Sequence, residues 1–229
     1  MSFYSSRNRF DTQLGNLESG LLDLSSMVEK AVNQAIATLK SRDHRQALKV
    51  IEADRPLNEQ RYGLEMEALS LLALQQPVLS RDLRYIAAVI HIAGELERMG
   101  DYAKGIARIS DNLSANPPVR VVVHLEQMAR LSNKMLHAAM DAFIEHSITA
   151  ADEVARQDDD LDELYNIVYR ELLDLMIKDN SVIDLATMLL WAAHNLERMG
   201  DRVTNICERI RFVETGILED SPGQHQELQ

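Results

Sequence analysis

The chain has 229 residues, of which 46% are hydrophobic, and carries a formal net charge of −12. This apolar content excludes a disordered chain, and the 9 glycines and 5 prolines are too few for the turns of an all-β protein. The negative charge disfavours nucleic acid and anionic membrane surfaces as partners, and the single cysteine, Cys207, excludes an intrachain disulfide and a thiolate metal site.

Three helices are predicted in the first half of the chain. Apolar residues recur there at spacings of three and four, which places them on one face of an α-helix. The first helix is predicted over residues 5–41, the second ends near Gln76, and the third spans 80–113. Pro56, inside the second segment, indicates a fresh start or a kink, because proline is tolerated mainly in a first helical turn. Pro77 ends this segment.

Pro117 and Pro118 divide the chain near its middle, since two consecutive prolines block a helix and stiffen a linker. The second half repeats the pattern, with helices predicted over 119–147, 150–179 and 182–215. Long helices joined by short connections pack as up-down-up bundles. The predicted fold is therefore all-α: two tandem three-helix bundles at 5–113 and 119–215, a short Pro-Pro linker, and a flexible polar tail at 216–229.

An internal repeat supports this division. The six residues Leu96–Asp101 recur unchanged as Leu196–Asp201, one hundred positions later and at the same place in the third helix of each half. A weaker match joins Asp54–Glu59 to Asp158–Glu163. Such self-similarity indicates a duplicated domain.

Each copy of the repeat carries a glutamate and an aspartate four residues apart, beside the apolar face of its helix. Like charges at this spacing repel, and the repulsion grows near a core unless a cation or a proton offsets it. In an antiparallel hairpin, polar residues of the preceding helix come alongside these acids. The first acidic set is then Asp54, Asn58, Glu97 and Asp101, and the second acidic set is Asp158, Asp162, Glu197 and Asp201.

Oxygen-rich clusters of this kind suit hard or borderline cations, so the sequence predicts sites for Mg, Mn, Fe or Zn. His194, three residues before Glu197, is a candidate further ligand. Its counterpart in the first half is Gly94, which favours an ordinary, partly buried histidine instead. The alternative for both sets is a solvated surface on which Arg98 and Arg198 pair with the acids. Recurrence of the motif at two equivalent places favours a site.

At these residues the chain resembles the PhoU family of bacterial phosphate-signalling proteins. The family's Leu-Glu-Arg-hydrophobic-Gly-Asp motif is matched at 96–101 and at 196–201. The resemblance covers about residues 5–215 and implies two tandem three-helix bundles with metal-binding acidic motifs. The family's partner motif is matched in full by Asp158 and Asp162, and in part by Asp54 and Asn58.

The resemblance implies a regulatory role and no enzymatic activity. Such proteins couple a phosphate ABC transporter to a membrane sensor histidine kinase and keep phosphate-starvation genes off when phosphate is plentiful. We therefore expect a negative regulator that is an adaptor between the transporter's ATP-binding subunit and the kinase, and a homodimer. The alternative is a carboxylate-bridged metal enzyme or iron store of ferritin type. No histidine stands three residues after an acid, which weakens that alternative.

The sequence also predicts a cytoplasmic protein. Its first residues lack the apolar core of a signal peptide, and no apolar run approaches the roughly 18 residues that a membrane-crossing helix needs. The chain has no stripe of lysine and arginine of the kind that binds nucleic acid. We therefore expect protein partners, no nucleic acid and no direct membrane insertion.

Overall fold

The computed structural model describes residues 3–74, 78–113 and 117–218. Within these ranges the chain forms seven α-helices and one 3-10 helix, and no strand. The helices are α1 (Phe3–Ser41), α2 (His44–Leu74), α3 (Ser80–Asn112), α4 (Val119–Ile144), α5 (Ile148–Ala155), α6 (Asp158–Lys178) and α7 (Ile183–Thr215), with the 3-10 helix at Asn180–Val182. α2 is continuous through Pro56, so this proline does not start a new helix.

Two residues with a left-handed backbone, Arg42 at φ 51° and His146 at φ 55°, follow the ends of α1 and α4. The Arg42 N–H donates to the Thr38 carbonyl at 2.7 Å, and the Ser147 N–H donates to the Ala142 carbonyl at 2.9 Å. These bonds satisfy carbonyls that a helix end leaves without partners. The helix predicted over 119–147 is therefore shorter than expected.

The second half departs further from the predicted pattern, because the helix predicted over 150–179 is two helices. The Ser147 hydroxyl accepts a hydrogen bond from the Ala150 N–H at 3.2 Å and caps α5. The chain breaks again at Arg156 and Gln157, and three aspartates occupy the first turn of α6. Aspartate is unfavourable inside a helix but is stabilised by the helix dipole at an N-terminus, which accounts for this second break.

Four long helices pack in a ring, in which α1 contacts α3, α3 contacts α7, α7 contacts α4, and α4 contacts α1. α2 lies against α1 and α3, while α5 and α6 lie against α4 and α7. The apolar faces form one core, in which Leu21, Leu96 and Leu196 are fully buried. Burial of each such side chain stabilises the fold by about 1.5–3 kcal/mol. The predicted pair of three-helix bundles is confirmed, and the two bundles share a core.

The two bundles meet through antiparallel helices. At the contact of α3 with α7, Arg202 Nη1 and Asn205 Nδ2 both donate to Glu95 Oε2 at 3.1 Å. At the contact of α1 with α4, Asn133 Nδ2 donates to Asn33 Oδ1 at 3.0 Å. These two asparagines are one hundred positions apart, as are the copies of the repeated motif. The duplicated halves therefore face each other across an approximate two-fold axis.

Some sequence predictions fall outside the described residues. They are the helix stop at Pro77, most of the linker at 114–116, and the tail from 219 onward. In the described part of the tail, Gly216 adopts φ 76° and ends α7 through an N–H bond to the Phe212 carbonyl at 2.9 Å. None of the described helices is long and apolar enough to cross a membrane.

Candidate functional site

The glycine of the repeated motif allows two helices to approach closely in each half. A Cβ built on Gly100 would lie 2.7 Å from Leu57 Cδ1, and one built on Gly200 would lie 2.6 Å from Leu161 Cδ2. Both leucines are buried, at 2% and 0% exposure. A methyl group at either glycine would overlap its leucine, so the glycines fix the separation of α2 from α3 and of α6 from α7. This close contact places the acids of one helix beside those of the next.

In the second acidic set, Asp158 begins α6 and projects toward α7. Its Oδ1 lies so close to Gly200 that a Cβ there would collide with it. Burial, followed by the nearby charges of Asp162, Asp201 and Glu197 in that order of effect, raises the pKa of Asp158 to about 7. The four predicted residues of this set are therefore close enough to repel one another, as the hairpin argument requires.

Glu197 lies at the buried side of the second acidic set. Burial, together with the charges of Asp201 and Asp162, raises the pKa of Glu197 to about 7 against the lowering effect of Arg198 and Arg202. Its Oε2 is buried and has no hydrogen-bond donor. His194 Nδ1 lies 3.1 Å away, but the two groups are not aligned for a hydrogen bond. This oxygen is thus available to a proton or a cation.

Arginine pairing, the alternative to a metal site, is seen for Asp201 of the second set. Arg198 Nη1 lies 2.7 Å from Asp201 Oδ2, with side chains 39% and 26% exposed. Proximity to the Tyr102 side chain of α3 raises the pKa of Arg198. A half-exposed pair of this kind contributes at most about 1 kcal/mol. It leaves the repulsion between Asp158 and Glu197 in place.

The first acidic set has a different composition. Lys104 Nζ lies 2.6 Å from Asp54 Oδ2 and 3.5 Å from Asp101 Oδ1. Asn58 Nδ2 donates to Asp54 Oδ2 at 3.3 Å. Burial and the charge of Asp101 raise the pKa of Glu97, which lies on the same face of α3. Sequence reasoning missed Lys104, although its counterpart in the repeat, Thr204, differs from it in charge and could have drawn attention to it.

His194 belongs to an aromatic cluster beside the second acidic set. Its ring centroid lies 6.3 Å from that of Tyr165 and 6.0 Å from that of Trp191, and Tyr165 lies 6.5 Å from Tyr169. Trp191 is 60% exposed. These contacts fit an ordinary, partly buried histidine, and the proximity to Glu197 fits a further ligand, so both interpretations stay predictions.

Whether either set holds a metal ion stays a prediction. Within 3–74, 78–113 and 117–218, no group of three or more histidine, cysteine, aspartate or glutamate side chains is arranged to hold one. The donor types of the second set nevertheless suit a hard or borderline cation. Its buried Glu197 oxygen without a hydrogen-bond donor, and the mutual repulsion of its acids, indicate that Arg198 and Arg202 do not fully offset its negative charge. In the first set, Lys104 already supplies positive charge.

The fold and the repeat define a class of protein: duplicated three-helix bundles with an acidic set where the second and third helical segments of each bundle meet. A profile of the PhoU domain matches residues 21–110 and 125–210 of this chain. The chain belongs to the PhoU family, as its repeated motif indicates.

Individual relatives agree with this assignment. The phosphate-specific transport system accessory protein PhoU homolog of Clostridium acetobutylicum is 34% identical over 214 residues, which cover 93% of this chain and 98% of that protein. The crystal structure of PhoU from Pseudomonas aeruginosa matches with a TM-score of 0.84 and 32% identity, over 91% and 100% of the two chains. The crystal structure of the phosphate transport system regulatory protein PhoU from Streptococcus pneumoniae matches with a TM-score of 0.85 and 34% identity, over 92% and 99%.

Proposed function

We propose that this protein is a negative regulator of phosphate uptake and of phosphate-starvation signalling. The observation that carries the proposal is the doubled Leu-Glu-Arg-Met-Gly-Asp motif within a PhoU fold that spans nearly the whole chain. Its relatives are named as accessory or regulatory proteins of phosphate transport. The coarse role, an accessory protein of a phosphate transport system, has direct support from those names.

In this proposal the protein is a cytoplasmic, non-catalytic adaptor between the ATP-binding subunit of a phosphate ABC transporter and a sensor histidine kinase, and it is a homodimer. Exposed apolar side chains support binding to other proteins. On α6, Tyr169, Leu173 and Ile177 follow one another at intervals of four residues and are 43%, 43% and 72% exposed. Exposed apolar surface of this kind is typical of interfaces.

We further propose that Asp158, Asp162, Glu197 and Asp201 hold a divalent cation. A bound cation would supply the positive charge that offsets the repulsion among these acids. Asp158 and Glu197 would bind it at the junction of α6 and α7, where Gly200 leaves room for the Asp158 carboxylate. The ordering of α6 against α7 would then depend on the ion.

Deletion of the gene in the organism that encodes it tests the regulatory role. In phosphate-rich medium, the deletion strain is expected to express phosphate-starvation genes and to take up phosphate in excess. The intact gene should restore control. A copy that carries Leu173→Asp and Ile177→Asp, which places charge in the exposed apolar surface of α6, should not restore it. Unchanged uptake and gene expression in the deletion strain would contradict the proposal.

Metal analysis tests the cation site. Protein purified without chelators is expected to contain a divalent transition metal, and the triple variant Asp158→Ala, Glu197→Ala, Asp201→Ala is expected to lack it. Metal-free wild-type protein, with a stability that the triple variant does not change, would refute the site. An oxidase assay with ferrous iron distinguishes a regulator from a metal enzyme of ferritin type, for which rapid iron oxidation is expected.

A further inference from the structure

The first acidic set contains a cation of its own. The Lys104 ammonium lies 2.6 Å from Asp54 Oδ2 and 3.5 Å from Asp101 Oδ1. The Asp54 side chain is 9% exposed and that of Lys104 is 22% exposed, so the closer pair is largely shielded from water. A charge-assisted hydrogen bond in such a place is stronger than one at the surface. Lys104 thus joins α3 to α2 from among the acids of the first set.

The second acidic set has no such residue at the equivalent position. Thr204 occupies it, is 4% exposed, and donates its hydroxyl to the Asp201 carbonyl at 2.8 Å within its own helix. The fourth residue differs too, since Asn58 of the first set corresponds to Asp162 of the second. The first set therefore has three carboxylates, two of which contact the Lys104 ammonium, whereas the second has four carboxylates, of which Asp201 pairs with the Arg198 guanidinium. The duplicated halves share the close glycine–leucine contact between helices, but only the first set has a lysine at this position.

We propose that Lys104 is the permanent counter-ion of the first acidic set and keeps divalent cations out of it. An entering cation would have to displace the ammonium from Asp54 and would meet an amide at Asn58 in place of a carboxylate. Asp54 Oδ1 and Asn58 Oδ1 are buried without hydrogen-bond donors, so oxygen ligands become available once Lys104 is removed. With the cation site proposed above for the second set, each chain then has one metal centre, in its second half. This count of metal centres rests on that proposed site.

Exchange of the two differing residues tests this proposal. The variant Lys104→Thr, Asn58→Asp gives the first set the residues of the second. Chelator-treated protein is dialysed against MnCl₂, and bound Mn²⁺ is measured. The variant is expected to bind about twice as much Mn²⁺ as wild type. A further Asp54→Asn change should remove the gain. No added Mn²⁺ in the exchanged variant, with a helical circular dichroism spectrum like that of wild type, would overturn the exclusion.

Matched variants locate the Mn²⁺ that wild-type protein binds. Neutral substitutions in the second set, Asp158→Asn, Glu197→Gln and Asp201→Asn, are expected to abolish binding. The same kind of change in the first set, Asp54→Asn, Glu97→Gln and Asp101→Asn, should leave it unchanged. Loss of binding in the first-set variant would overturn the proposal. If wild type binds no Mn²⁺, the cation site of the proposed function fails, and the gain in the exchanged variant still decides the role of Lys104.

A double-mutant cycle tests the counter-ion role without any metal. Lys104→Met, Asp54→Asn and the double variant are unfolded with urea in the presence of EDTA. Lys104 and Asp54 are expected to be coupled by about fivefold or more in the unfolding equilibrium constant. A control cycle of Lys104 with Glu52, an exposed acid on α2, should show no coupling. Equal coupling in the two cycles would refute the role of Lys104.

Discussion

Substitution of Gly100 by alanine tests whether the glycine of the repeated motif sets the separation of α2 and α3. The new Cβ would lie 2.7 Å from Leu57 Cδ1 and 3.2 Å from Leu57 Cδ2. Leu57 is 2% exposed and packed in the core, so it has little room to move. Such overpacking costs about 1–3 kcal/mol, while alanine in place of glycine favours the helix by about 1 kcal/mol. Gly100→Ala is therefore expected to lower the free energy of unfolding by about 0–2 kcal/mol.

Gly94→Ala is the matched control, because Gly94 lies on the same helix and a Cβ there would meet nothing within 4 Å. It should raise the free energy of unfolding by about 1 kcal/mol. Urea unfolding in EDTA, followed by circular dichroism, measures both variants. In a Leu57→Ala background the clash is gone, and Gly100→Ala should become stabilising. Equal stability of Gly100→Ala and Gly94→Ala would refute the reasoning.

Three further predictions concern protons, the bundle contact and the thiol. In metal-free protein, folding raises the pKa of Asp158 and Glu197 to about 7. Their contribution to stability is therefore full below about pH 4 and is lost as the pH rises to about 7. Asp158→Asn should reduce the change in the urea midpoint of unfolding between pH 5 and pH 8. Glu95→Ala leaves the largely buried Arg202 guanidinium without its carboxylate and should lower the free energy of unfolding by about 1–3 kcal/mol, more than Glu95→Gln, in thermal melts. Burial raises the pKa of the Cys207 thiol to about 12, so a thiol reagent should modify it only as the protein unfolds, and fast labelling of folded protein would contradict its placement in the core.

Much of the fold could be predicted from the sequence, because long helices leave a strong periodic pattern. The repeat at Leu96 and Leu196 also revealed the duplication, since its letters are identical. The proximity of Asp158 to Glu197 followed from hairpin geometry, and the effect of the Glu197 charge on the pKa of Asp158 agrees with it. Helical periodicity and an identical repeat can both be read directly from the sequence, so the features of the structure that depend on them could be predicted.

The rest depends on contacts between distant residues. The bond of Lys104 to Asp54 joins two helices. No local sequence pattern indicates which residue of a neighbouring helix the ammonium of a long, flexible lysine side chain will contact. The contact of Glu95 with Arg202 depends on how the two bundles dock, which the pattern within each bundle does not determine. The break at Arg156 had a local signal in the aspartates that follow, but the apolar periodicity continues across it and favoured one helix.

The glycine contacts also bear on how the two halves of the chain diverged after duplication. Gly100 and Gly200 are constrained by the leucines they touch, so the spacing of the helices cannot drift. The positions of Lys104 and Thr204, and of Asn58 and Asp162, instead differ between the halves. A lysine codon and a threonine codon can differ by a single base, as can an asparagine codon and an aspartate codon. Point mutations at these two positions are therefore enough to exchange a set of four carboxylates for one that contains its own ammonium, while the glycine contacts keep the helix spacing.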